Sequence, residues 1–330
     1  MKTKVLLTAC LLASSCTLIA QEQQRLPFLE PADTLHKGRF WTTVGTGTVI
    51  YASFSVGLYQ AWYKDYELTR FHTFNDWGEW QHMDKVGHAF TAYVESNLSF
   101  SGAMWTGMRR RNAMWTAAGV GMLLQSTVEF MDGFSEKWGF SWGDMAFNAA
   151  GASVFVAQEM LWQDQRIKFK VSNTSPDYAT SPILAKNGLS SMSLQQRANE
   201  LYGSSFAETF LKDYNGQTIW LSANIASFIR ERPMWLPAWL NVSVGYGAEN
   251  MFGGYNNQWT DEAGNRYELD TQAYPRYQQF YLGLDVDLSR IPTRKRGLRL
   301  LLGTLNWIKI PSPTLEWNTN GQWRFHALRW

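Results

Sequence analysis

Cysteine is almost missing: the chain has two, Cys10 and Cys16, both within the first twenty residues. A disulfide framework or a cysteine-ligated metal is therefore excluded from the rest of the chain. Charge is scarce too. Asp, Glu, Lys and Arg make up 18% of the 330 residues and leave a net charge of +2, against roughly 25% charged residues in ordinary soluble domains. No Lys/Arg stripe with interleaved aromatics occurs, so no nucleic-acid partner is expected. Aromatics, by contrast, reach 15% and include 17 Trp. Low charge with abundant Trp and Tyr suits a membrane interface, where amphipathic rings sit among the headgroups. It suits sugar binding equally well.

Residues 1–20 read as a signal peptide. Met1-Lys-Thr-Lys4 precedes an apolar run from Val5 to Leu12, and Ile19-Ala20 precedes a cut before Gln21. Ala13-Ser14-Ser15-Cys16 is the competing lipoprotein signal, in which Cys16 would be acylated, but it lacks the usual Leu three places before the cysteine.

Four apolar segments follow. Phe40 to Tyr63 has no charged residue in 24 positions and carries Gly45, Gly47, Ala52, Ser53 and Gly57, small residues that permit close helix packing. It is long enough to cross a bilayer. Val86 to Met108, Asn112 to Phe130 and Met145 to Trp162 are the others. Four inner-membrane spans after a cleaved signal would leave Arg109-Arg110-Arg111 outside, against the positive-inside rule. A bundle in the periplasm, or partly embedded at the outer membrane, is the better expectation, with the inner membrane as the alternative.

Beyond Trp162 the period changes to two. Ile167, Phe169 and Val171 alternate with cationic residues, and Phe280, Leu282, Leu284, Val286 and Leu288 alternate with Tyr281, Gly283, Asp285, Asp287 and Ser289. Leu240, Val242, Val244 and Tyr246 share a face in the same way. A polar linker is expected over Ser172 to Ser190, an amphipathic helix over about Leu194 to Leu211, and strands over Leu298 to Ile310 and on either side of an Asn320-Gly321 turn. Either a soluble antiparallel sheet or a small outer-membrane barrel accounts for this pattern. The girdle-type aromatics and the terminal Trp330 favour the barrel.

One set of polar residues stands out. Asp84 and His88 are four apart, as are Asp144 and Asn148, so each pair shares a helical face. Glu129, Asp132 and Glu136 are spaced to line another. Buried polar groups need partners, and the simplest partners are one another. A His among carboxylates can be a general base, a metal ligand or a structural tie. His72 and His82 lack a metal-ligand spacing, and Ser135 and Ser141 lack a nucleophile elbow. No cofactor or metal is assigned. Asp84, His88, Glu129, Asp144 and Asn148 remain the catalytic candidates, and a satisfied buried network is the expected role.

Asp84-Lys85-x-x-His88, Glu129 and Asp144-x-x-x-Asn148-x-x-Gly151 together resemble the VanZ-like superfamily pattern. The forms DKVGHAF and GFSEKWGFSWGD look closer to the YfiM-like family of predicted periplasmic lipoproteins. DYNGQTIWLS, WLNVSVGYGAENMFGG and FYLGLDVDLSRI are similar to its longer members. The resemblance implies a four-helix VanZ-like module over 37–163, followed over 164–330 by an amphipathic antiparallel β module with one inserted helix, in all an α+β chain. It implies an envelope protein at the outer membrane or periplasm, structural or ligand-binding, whose partners are membrane lipid or envelope components. The alternative is a membrane-proximal enzyme acting on lipid or cell-wall intermediates with His88 as base.

Overall fold

The computed structural model describes residues 27–64 and 66–330. The expected signal peptide, Cys10 and Cys16 lie outside them. The chain is α+β: helices come first, and a six-stranded antiparallel sheet follows.

Helix α1 (Lys37–Leu58) ends in a π turn at Tyr59–Tyr63. It is apolar all round, so it has no single face to bury, and only Arg39 and Leu58 are buried along it. The interior is built instead by α2 (Met83–Trp105), α3 (Arg110–Gly133) and α4 (Trp142–Trp162). Three helices thus form the core where four were expected, with α1 on the outside. Among the described residues no helix is long and apolar enough to cross a membrane.

Small residues set the spacing of the three helices. A Cβ on Gly151 of α4 would lie 2.0 Å from the Ala89 carbonyl oxygen of α2, and one on Gly121 of α3 would lie 2.5 Å from Ser96 Oγ. Ala92, Ala113 and Ala117 are fully buried beside Tyr93, Phe100 and Phe155. Close backbones let short side chains meet across the interface.

The sheet runs β1 (Ile167–Asn173), β4 (Gln217–Asn224), β5 (Leu240–Glu249), β8 (Tyr277–Val286), β9 (Ser312–Asn318) and β10 (Trp323–Arg329) in spatial order, every neighbour antiparallel. Two small hairpins stand apart, β2 (Pro182–Leu184) with β3 (Ser191–Ser193), and β6 (Gln258–Thr260) with β7 (Arg266–Glu268). Among the described residues no closed barrel forms. Two backbone hydrogen bonds, Val171 N to Trp307 O and Lys309 N to Val171 O, nevertheless lay the run into β9 along the outer edge of β1.

Three local expectations are corrected. Leu194 to Leu211 is two helices, α5 (Leu194–Tyr202) and α6 (Phe206–Lys212), each opened by a serine capping box. Gly203, at φ +80°, breaks them apart. Leu298 to Ile310 is not a strand: α7 (Arg296–Thr304) occupies it, because its leucines recur at helical spacing with arginines between them. The expected linker contains β2, which the sequence disguises as a short Pro-Ile-Leu run.

The sheet is inverted relative to a water-soluble one. Its enclosed face is polar: Lys170 pairs with Asp285 at 2.8 Å with both side chains fully buried, and Lys168 pairs with Asp287 at 2.5 Å. Ser222, Asn224, Asn241 and Ser243 line the same face, with Ser222 Oγ donating to Asp285 Oδ2 and Asn241 Nδ2 to Ser222 Oγ. The opposite face is apolar: at β1 and β4 its Phe169, Val171 and Ile219 pack on the helical core, and beyond the helices it turns outward. Leu282 is 52% exposed, Val244 52% and Phe325 71%, with Leu221, Phe280, Leu284 and Leu315 beside them.

Candidate functional site

The polar residues picked out by spacing meet where α2, α3 and α4 face the β segment. α2 supplies Asp84, Lys85 and His88 in its first two turns, α3 supplies Glu129 near its end, and α4 supplies Asp144 and Asn148. Ser141 caps α4, accepting from Asp144 N at 3.1 Å, which holds a carboxylate in the first turn where the helix dipole favours it.

His88 is the hub. Its Nδ1 lies 3.0 Å from Asn148 Oδ1. As Asn148 Oδ1 can only accept, Nδ1 donates. Nε2 then faces three carboxylates: Glu129 Oε1 at 3.5 Å, Asp144 Oδ1 at 3.7 Å and Asp84 Oδ1 at 3.9 Å. All three distances exceed a normal hydrogen bond. Glu129 is 1% exposed and Asp144 3%, and Glu129 Oε1 and Asp144 Oδ1 accept no aligned hydrogen bond among the described residues. Lys85 Nζ does make ion contacts, at 2.8 Å to Asp144 Oδ1, 2.8 Å to Asp76 Oδ2 and 3.2 Å to Asp84 Oδ2.

A further layer orients these groups. Ser141 N donates to Glu129 Oε2 at 3.0 Å, Ser141 Oγ to Asp76 Oδ1 at 2.7 Å, and Tyr214 OH to Asp84 Oδ1 at 2.8 Å. Tyr214 lies just ahead of β4, so the cluster also ties helices to sheet. The same junction holds Trp80, Gln81 and His82, three consecutive residues at φ 49°, 53° and 65°. Trp80 N donates to Gly254 O at 2.8 Å, and Tyr246 OH donates to Gln81 O. Such left-handed conformations need support from their surroundings, and here the β segment supplies it.

Electrostatics follow from burial and neighbours. Burial opposes charge on His88, but Asp84, Asp144 and Glu129 outweigh it and lift the imidazole to about 9. Burial also opposes charge on Lys85, and Asp84 and Asp144 hold it protonated well above its usual range. Burial lifts Glu129 to about 7. Burial, and then Asp84, push the Asp144 carboxyl up as well, so in the cluster Lys85 and His88 stand among four carboxyl groups of which two are reluctant to ionise. Three of its groups, Asp84, His88 and Asp144, offer ligand atoms within 4.8 Å of one another, as a metal site would.

Some candidates lie apart. Asp132 stays on α3 but turns to Tyr63, whose OH donates to it at 2.6 Å. Glu136 lies beyond the end of α3 and shares no helical face with Glu129. His72 bonds Trp138 O at 2.7 Å, and His82 stands edge-on to Trp77. Arg110 pairs with buried Glu159. Around the turn between β6 and β7, Asp261 takes hydrogen bonds from Asn265 and Glu268 pairs with Lys186.

Sequence reasoning missed Asp76, Tyr214 and the role of Lys85. The Ser141-x-x-Asp144 cap was legible as a helix start. Asp76 and Tyr214 carried no local signal, since they reach the cluster only through tertiary structure.

Fold and site define an α+β protein with a buried ion cluster at its helix–sheet junction and an apolar-faced sheet. Over residues 73–159 the chain matches the family model described as predicted periplasmic lipoprotein (DUF2279). That stretch is about a quarter of the chain and contains Asp76, Asp84, Lys85, His88, Glu129, Ser141, Asp144 and Asn148. Similarity to this family supports a place in the cell envelope. No curated protein and no solved structure matches the chain.

Proposed function

We propose that the chain is a structural protein of the cell envelope whose β segment lies against lipid at the outer membrane. In this reading 37–163 is a YfiM-like, distantly VanZ-like module, and 164–330 is the lipid-facing β module. One observation carries it: the sheet encloses ion pairs and turns leucine, valine and phenylalanine outward. In water that arrangement wastes apolar burial at about 25 cal/mol per Å². Against hydrocarbon it is the stable one, because the lipid face must be apolar and backbone and charges must be satisfied within. Helix α7 supports it, with Leu298, Leu300 and Leu301 exposed and Arg294, Lys295, Arg296 and Arg299 around them, the pattern of a helix lying in an anionic interface. The buried cluster then serves as the tie between helices and sheet.

The alternative, an enzyme with His88 as base, has the buried Glu129 Oε1, without a hydrogen-bond donor among the described residues, in its favour. An imidazole lifted to about 9 is protonated at neutral pH, and a protonated imidazole cannot accept the proton a base must take.

A label tests the proposal. An environment-sensitive fluorophore on Leu282→Cys should shift to the blue in vesicles and be quenched by brominated lipid, whereas one on Glu262→Cys in the exposed loop should not. Purified protein that stays monodisperse without detergent, with the Leu282→Cys probe reporting water, overturns it.

A further inference from the structure

We propose that His88, Asp84 and Asp144, with Glu129 beside them, bind one divalent first-row cation, Mn2+ or Fe2+ in preference to Mg2+ or Ca2+, which displaces the proton from His88 Nε2 and braces the helix–sheet junction from within. The proposal rests on the reading of the cluster as a structural tie and adds to it the identity of what ties it.

Four observations support it. First, Nε2 of His88 faces three carboxylate oxygens at 3.5, 3.7 and 3.9 Å. These separations are too long for hydrogen bonds. For Asp84, His88 and Asp144 the ligand atoms all lie within 4.8 Å of one another, near the spacing of ligands that share a metal about 2.0–2.2 Å from each. Second, Glu129 Oε1, on a side chain 1% exposed, has no hydrogen-bond partner among the described residues and lies 3.5 Å from the same His88 Nε2. A buried carboxylate oxygen without a donor is costly unless a cation meets it. Third, three of these groups are held from behind. His88 Nδ1 donates to Asn148 Oδ1, Ser141 N donates to Glu129 Oε2, and Lys85 Nζ contacts Asp84 Oδ2. Metal-binding imidazoles and carboxylates carry this kind of outer support, which fixes the tautomer. Fourth, four carboxyl groups, on Asp76, Asp84, Glu129 and Asp144, face one lysine and one histidine, and Lys85 Nζ, 2.8 Å from both Asp76 Oδ2 and Asp144 Oδ1, offsets only part of their charge.

The donor set selects the metal class. Hard carboxylate oxygens with one imidazole suit Mn2+ or Fe2+, while a site without nitrogen would suit Mg2+ or Ca2+. Entry is from the Asp84 and His88 side, where the side chains are 22% and 13% exposed.

The test uses full-length protein stripped with chelator and titrated with Mn2+ or Mg2+. Mn2+ should bind at about one equivalent, raise the melting temperature as a ligand specific to the folded state does, and show one coordinated imidazole nitrogen in its pulsed EPR spectrum. Mg2+ should do so at least ten-fold more weakly. Asp144→Asn and Glu129→Gln should each weaken Mn2+ binding ten-fold or more, within the range that ligand-shell changes produce. Failure to bind Mn2+, binding without the nitrogen signal, or equal binding by wild type and both variants overturns the proposal. The underlying reading fails separately. If His88→Ala loses Mn2+ but the stripped variant melts like stripped wild type, the site is real and the cluster is not the tie. If stripped His88→Ala is destabilised and wild type never binds Mn2+, the tie stands without a metal.

Discussion

Replacing Lys85 with methionine is the sharpest perturbation of the helix–sheet junction. The ammonium lies within 2.8–3.2 Å of Asp76, Asp84 and Asp144, and the side chain is 1% exposed. Methionine keeps most of the aliphatic stem, so little is lost through packing. What is lost is the cation, leaving buried carboxylates uncompensated at about 3–5 kcal/mol. At roughly 2.1 cal/mol/K per residue over about 300 residues, unfolding entropy is about 0.6 kcal/mol/K. The melting temperature of chelator-treated protein should then fall by about 5–8 °C in a calorimetric scan at pH 7. The loss should shrink at acid pH. A stranded carboxylate has a raised folded-state pKa, so the folded state gains protons, and therefore stability, as pH falls. Lys85→Met/Asp144→Asn should recover part of the loss, since cation and anion leave together. A single variant that melts like wild type at pH 7 would refute the view that this cluster is held by its charges.

Further outcomes are expected elsewhere. Burial lifts the Glu95 carboxyl, which accepts from Gln125 Nε2 at 2.9 Å, to about 7. Its contribution is full near pH 4 and is lost as pH rises to about 7, so Glu95→Gln should match wild type near pH 4 and exceed it by up to about 3 kcal/mol above pH 7 in urea unfolding. Equal stability at both pH values would sink that account. Gly151→Ala must push α2 from α4, because its Cβ would meet the Ala89 carbonyl, and should cost about 1–3 kcal/mol in the same assay. Leu282→Arg on the outward face should weaken vesicle flotation by about 2–4 kcal/mol if that face lies in hydrocarbon, and undiminished flotation would count against it.

The sequence alone determined the change from helical to alternating period after Trp162, and with it the α+β character. It also picked out five members of the cluster, Asp84, His88, Glu129, Asp144 and Asn148. Asp84/His88 and Asp144/Asn148 were legible because the helical repeat puts residues four apart on one face. The hairpin at Asn320-Gly321 was legible because glycine alone readily adopts the positive φ found there. Three matters were decided only by tertiary structure. Helix α1 stays outside the core, because an apolar pattern says that a segment avoids water and not what it packs against. Asp76 and Tyr214 enter the cluster from loops, Tyr214 from 130 residues beyond Asp84, where no helical period applies. Which face of the sheet is enclosed was also not written in the alternation, since a period of two is unchanged when the strand is turned over. Tertiary packing put the polar face inside, where Lys170 pairs with Asp285 and Lys168 with Asp287.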